Sequence, residues 1–120
     1  MAAGHRRQIS LGELKAEVIH IRPGGKLAYV VDAAYHEDNA ARIIELTRNV
    51  EQLFIEAAFL EEDGSIAARK RHLTATQAGS LARRAGAKRV IPFHFSPRYL
   101  DRPDALRYEV QRSFAGNESE

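Results

Sequence analysis

Short apolar runs, each closed by a single polar residue, organise the middle of this chain. Residues 14–21 are rich in β-branched side chains and alternate in part, which predicts a strand. Pro23-Gly24-Gly25 then supplies turn chemistry, with proline fixing φ and glycine allowing positive φ. Residues 27–31 are continuously apolar, as expected of a strand covered on both faces, and the run stops at Asp32. Two further short apolar strands, 53–55 and 90–93, stop in the same way at Glu56 and His94.

Helical periodicity fills the intervals. Residues 37–48 place Ala40, Ile43, Ile44 and Thr47 on one stripe, and Glu37 and Asp38 sit in the first turn, where the helix dipole favours them. Arg48-Asn49 makes a stop. Residues 74–85 carry the clearest signal: Thr74 followed by Gln77 predicts a reciprocal capping box, and Gly86 stands where a left-handed cap is wanted. Pro103 suits the first position of a last helix, with Leu106, Val110 and Phe114 facing inward at four-residue spacing. Glu61-Glu62-Asp63-Gly64 reads as a polar loop leading into a basic stretch before His72. Residues 1–10 lack periodicity and are expected to form a disordered leader; residues 116–120 are expected to form a loose tail.

The order β-β-α-β-α-β-α predicts one α/β layered domain over residues 11–115, with mostly parallel strands after the first hairpin. In such sheets ligands sit just beyond the carboxyl ends of the strands. Asp32, Glu56 and His94 are therefore expected along one rim.

Composition narrows the classes. The chain has 120 residues, 44% hydrophobic and 28% charged, as a soluble globular domain would. No apolar run reaches the roughly 18 residues that span a bilayer, and no secretory h-region opens the chain. A cytoplasmic location is the expectation. The absence of cysteine excludes disulfides and thiolate zinc sites. The net charge of +2 is too small to argue for nucleic acid by itself. Basic residues do bunch at Arg69-Lys70-Arg71, Arg83-Arg84 and Lys88-Arg89. The first bunch, beside His72, reads either as a solvated loop or as a hold on RNA phosphates.

An aspartate and a histidine at neighbouring strand ends admit two readings. They could ligate zinc or manganese, which take carboxylate and imidazole. They could equally be a structural pair in which the carboxylate fixes the histidine tautomer. His36, four residues beyond Asp32, reads as a helix-start residue more readily than as a ligand; His20 lies on a strand, and His5 in the leader is uninformative.

Four segments carry a resemblance. Lys26-Leu-Ala-Tyr-Val-Val-Asp32 resembles the strand bearing the bridging aspartate of ribonuclease Z-type, metallo-β-lactamase-fold hydrolases. Leu53-Phe-Ile-Glu56-Ala-Ala-Phe59 resembles that family's His-Glu-Ala-Thr strand. His72-Leu-Thr-Ala-Thr-Gln-Ala78 resembles its His-Ser/Thr-Thr-Ala box, and Pro92-Phe-His94-Phe-Ser-Pro-Arg98-Tyr99 its Thr-His-Phe-Ser-x-Arg-Tyr box. The set runs in family order over roughly residues 11 to 100.

The resemblance implies the C-terminal half of an αββα sandwich, one mixed sheet with helices on its outer face. It implies two-metal phosphodiester hydrolysis, most typically of precursor tRNA at its 3′ trailer, with two zinc ions. Asp32 would bridge the ions and His94 would complete the second. His72 would give a proton to the leaving oxygen or contact the scissile phosphate, with Glu56 orienting it. Arg98 would neutralise substrate phosphate or, equally, hold its loop through a carboxylate.

The chain also departs from the pattern. The family's His-x-His-x-Asp-His cluster is absent, Ala33 stands where threonine is usual, and Ile55-Glu56-Ala57-Ala58 replaces His-Glu-Ala-Thr. A catalytic zinc wants about three protein ligands, and Asp32 with His94 supplies two for two ions. The expectation is therefore weak metal binding and no hydrolysis by this chain alone. A bare inner sheet face would demand a partner: a separately encoded first half, another copy of the chain, or a chaperone. The rival reading is a non-catalytic remnant that serves as an interaction module. A receiver-like domain with Asp32 as phosphoacceptor is disfavoured, because no acidic pair precedes Asp32 and no lysine ends the last strand.

Overall fold

The computed structural model describes the backbone of residues 6–11, 14–22, 25–31 and 35–116, and the side chains of 26–31 and 35–116 except 103. Five strands form one mixed sheet in the order β1 (Arg6–Leu11), β2 (Leu14–Arg22), β3 (Gly25–Val31), β4 (Gln52–Glu56), β5 (Arg89–Phe93). The first three are antiparallel meander strands; β3, β4 and β5 run parallel. The expected parallel layout after the first hairpin is what the sheet shows.

Strand β1 corrects the expectation of a disordered leader. Arg6 to Ser10 pair with β2 from Arg6↔Ile19 to Ser10↔Lys15. The segment has too few apolar positions to declare itself; the ladder to β2 specifies it. The other leader residues, 1–5, lie outside the described residues, as do Pro23, Gly24, Asp32 and the tail beyond Gly116.

Alternation along the parallel strands divides the sheet. Ala28, Val30, Leu53, Ile55 and Val90 are buried and join one core with Ile43 of α1 (Glu37–Leu46), Leu81 of α3 (Ala75–Ala85) and Leu106 and Val110 of α4 (Pro103–Phe114). Leu27, Tyr29, Val31, Phe54, Ile91 and Phe93 occupy the opposite face and are only half-buried. The rings of Tyr29 and Phe54 stack there, 4.7 Å between centroids. Helices therefore cover one face, and a band of apolar side chains remains on the other.

Local chemistry explains the helices. Thr74 Oγ1 accepts from Gln77 N–H at 3.1 Å and Gln77 Oε1 accepts from Thr74 N–H at 2.9 Å, the predicted capping box of α3. Gly86 caps the other end at φ 76°, in the left-handed region that favours glycine. Gly79 lets α4 approach closely: a Cβ there would lie 2.4 Å from the Val110 carbonyl oxygen. Helix α1 ends at Leu46, two residues before the expected stop, where Thr47 Oγ1 turns back to donate to Ile43 O at 2.6 Å.

One helix was not foreseen. After a single 3₁₀ turn at Glu61–Asp63, α2 spans Gly64–Lys70, where a loop and a basic stretch were expected. Seven residues are too few to show periodicity. The helix ends at Arg71, a non-glycine residue in the left-handed region at φ 62°, and the chain reverses so that His72 N–H bonds Ala67 O at 2.9 Å.

Candidate active site

Three loops meet at the carboxyl ends of β4 and β5. Ala57 N–H bonds Phe93 O at 3.0 Å, Ala58 N–H bonds Leu73 O at 3.2 Å, and Ser96 N–H bonds Ala58 O at 3.0 Å. These backbone bonds splice the segments bearing Glu56, His72 and His94.

Glu56 is the hub. Its side chain is 0% exposed, although a buried carboxylate is tolerated only when donors surround it. Leu73 N–H donates to Oε2 at 2.9 Å, and His72 Nδ1 lies 2.8 Å from the same oxygen. His94 Nδ1 lies 3.1 Å from Oε1. A carboxylate form of Glu56 only accepts, so both rings would meet it as Nδ1–H donors. That tautomer, in the neutral ring, leaves each Nε2 with a lone pair. The histidine side chains are 26% and 47% exposed, so both rings run from a buried anchor to the surface. Their centroids are 5.6 Å apart and the planes nearly perpendicular, 79°.

Backbone strain accompanies this arrangement. Among the described residues the non-glycine positions with positive φ are Asn49, Arg71 and His94. Arg71 immediately precedes His72, and His94 itself sits at φ 66°. Such conformations persist where the surroundings over-determine them, and they concentrate at functional sites.

The site opens into a surface pocket of about 210 Å³, walled by Phe59 and Phe95 and edged by Lys70, His72, His94 and Ser96. The donor set suits a transition metal: imidazole nitrogens oriented through Nδ1 by a carboxylate are the usual support of histidine ligands. Ligand atoms of Glu56, His72 and His94 also lie within 4.8 Å of one another, so the three could themselves close on one ion. That alternative would require both rings to exchange their bonds to Glu56 for the ion. The hydrogen-bonded arrangement favours Glu56 as the group that holds the rings.

The candidate residues distribute as follows. Glu56, His72 and His94 converge; the link between Glu56 and His94 was not anticipated, since the expected pairing was with His72 alone. It follows from parallel register, which sets Glu56 beside Phe93 and so next to His94. Asp32 lies outside the described residues; β3 is described to Val31, and Val30 pairs Ile55. Arg98 Nε stands 3.8 Å from Asp63 Oδ2, an ion pair of the kind the loop-holding alternative describes, with its side chain still half-exposed. His36 is exposed and caps α1, accepting from Asn39 N–H at 3.5 Å. Lys70, named only as one of a basic run, proves to edge the pocket.

Asp63 also receives Tyr99. The Tyr99 hydroxyl donates to Asp63 Oδ2 at 2.5 Å and accepts from Leu60 N–H at 3.0 Å. Burial, and then the hydrogen bond to Asp63, push the Tyr99 phenol above its ordinary value of 10.0.

Comparison with known proteins agrees with this architecture. A family model described as "Beta-lactamase superfamily domain" matches residues 6–95. The chain belongs to that superfamily, and its sheet and helices are about half of the metallo-β-lactamase fold. Within the superfamily it is similar to ribonuclease Z. It is 39% identical over 116 residues to the ribonuclease Z of Thermobifida fusca, covering 96% of this chain and 33% of the relative. It is 38% identical over 99 residues to that of Deinococcus radiodurans, covering 82% and 29%. The chain thus spans about a third of the length of the curated relatives it matches. Among solved structures, the metallo-β-lactamase fold protein YhfI from Bacillus subtilis superimposes with TM-score 0.68 at 20% identity, over 91% of this chain and 46% of that one. The short form of human tRNase Z gives 0.57 at 20% identity, over 76% and 40%. At that identity the likeness is one of fold.

Proposed function

We propose that this chain supplies one wall of a metal-dependent phosphodiesterase site of the ribonuclease Z type, acting on RNA and most typically on precursor tRNA. The observation that carries the reading is the buried Glu56 carboxylate holding the Nδ1 side of both His72 and His94. A histidine ligand and a histidine acid both need a fixed ring with its far nitrogen presented outward, and one anchor serves both.

His94, with Asp32, would hold metal; two zinc ions would polarise the phosphoryl group and activate water. His72 would present its Nε2 proton to the leaving oxygen, and the carboxylate at its Nδ1 compensates the charge that the ring carries in that state. These residues fit half of a dinuclear donor set. The other ligands would come from a first half carrying His-x-His-x-Asp-His, or less simply from a second copy, docked on the apolar sheet face that carries Tyr29 and Phe54. Alone, the chain would bind zinc weakly and would not hydrolyse esters. The working location would be the cytoplasm, where precursor tRNA is met in bacteria.

The test is reconstitution. The chain is mixed with a separately produced first half bearing His-x-His-x-Asp-His, zinc is added, and cleavage of a precursor tRNA and of bis(p-nitrophenyl) phosphate is followed. The reading expects cleavage only from the mixture, its abolition by His94→Ala, and a fall of about 10²-fold or more for His72→Ala. Cleavage by the chain alone would overturn the division of ligands, and an inactive mixture that nevertheless forms a stable complex with zinc would overturn the function.

A further inference from the structure

Among the described residues, Lys70 is the one lysine or arginine lining the pocket that contains both histidines. It is exposed, and it has no carboxylate partner among the described residues. Elsewhere on the same domain Arg98 pairs with Asp63 at 3.8 Å and Arg102 with Glu62 at 3.1 Å. Helix α2 explains the placement. Lys70 is its last residue, and the left-handed Arg71 folds the chain back, so that Lys70 and His72 reach the same pocket from either side of the cap. Two residues so close in sequence share a pocket edge because the helix stops on a strained residue rather than continuing.

Phe59 and Phe95 also line this pocket of about 210 Å³, which has room for a phosphoryl group. A lone ammonium on a flexible stem beside two imidazoles suits a compact anion, because lysine binds phosphate as a point charge.

We propose that Lys70 holds the anionic oxygen of a phosphodiester in this pocket, beside His72 and His94. The inference rests on the phosphodiesterase reading above and names a residue which that reading does not use. Lys70 acts by positioning the phosphate: its charge fixes where the group sits relative to the two rings and takes no part in proton transfer.

The test uses the whole chain without added metal and inorganic phosphate as the probe. Imidazole resonances of His36, His72 and His94 are followed by NMR while phosphate is added at constant ionic strength. The expected result is saturable shifts of His72 and His94 with His36 unmoved. Lys70→Ala weakens the apparent affinity about tenfold, the loss expected for one charge-assisted contact. Lys70→Arg retains most of it, and Lys88→Ala, just before β5 and at the opposite end of the strand from His94, changes nothing. Equal shifts of all three histidines, or unchanged affinity in Lys70→Ala, overturn the proposal. Because Lys70 is exposed, its variants should retain the wild-type far-UV spectrum. Failure here and failure of reconstitution are separable: a reconstituted enzyme whose KM is indifferent to Lys70→Ala sinks this inference alone, and an inactive complex that still shows Lys70-dependent phosphate binding sinks only the hydrolase reading.

Discussion

At the scale of single residues, one carboxylate does the organising. Glu56 is fully buried and collects a backbone N–H and two imidazoles. Glu56→Gln keeps the shape but points an amide N–H₂ at one of those donors. We predict a loss of about 2 kcal/mol in urea unfolding, with both ring environments disturbed together. Tyr99 gives a separate prediction with a definite sign. Its folded-state value is raised, so its protonated form favours the native state; that contribution is complete below the ordinary value of 10.0 and is lost as pH climbs through the raised one. Spectrophotometric titration should show one late tyrosine, absent in Tyr99→Phe. Sequence reading singled out Glu56 and His94 because residue type at a strand end is visible in one dimension, and the family resemblance added His72. It did not find the Glu56–His94 contact, which depends on how β4 and β5 align. Nor did it single out Lys70, whose role depends on where a short helix stops.

At the scale of elements, α3 and its neighbours hold the site in place. Thr74 caps α3, and its hydroxyl also donates to Glu61 Oε1 at 2.6 Å, tying the helix start to the 3₁₀ turn. Thr74→Ala should cost about 1–2 kcal/mol in chemical denaturation. Gly79→Ala should be more damaging than its exchange of a hydrogen for a methyl suggests. The added Cβ would also lie 2.7 Å from Ser113 Cβ and 2.9 Å from Phe114 N, so α3 and α4 must separate, at about 2 kcal/mol or more. Thermal unfolding of the two variants against wild type checks both. The long elements were legible because capping box, apolar stripe and terminal glycine agree over α3. Strand β1 and helix α2 were not, for they are fixed by a partner strand and by a reversal at Arg71, neither of which leaves a periodic trace.

At the scale of the whole molecule, the described helices cover one face of the sheet. Tyr29, Phe54, Ile91 and Phe93 remain half-exposed on the face that also carries Glu56 at its edge. A contiguous apolar band of this kind favours association. Phe54→Lys is predicted to shift the chain toward monomer in sedimentation velocity, and to abolish capture of a first-half polypeptide, while leaving the far-UV circular dichroism unchanged. The half-sandwich was readable from strand and helix order together with the four motif segments. The occupant of the open face was not, because a chain records its own buried positions and carries no imprint of what covers the rest.

The central claim is that Glu56 fixes both histidines through Nδ1 and turns their Nε2 atoms outward. Long-range ¹H–¹⁵N correlation of the imidazole rings reads this directly, with both rings neutral. The Nδ1–H tautomer is expected for His72 and for His94, and its dominance is expected to fade in Glu56→Gln. Rings that carry their proton on Nε2 in the wild-type chain would contradict the account.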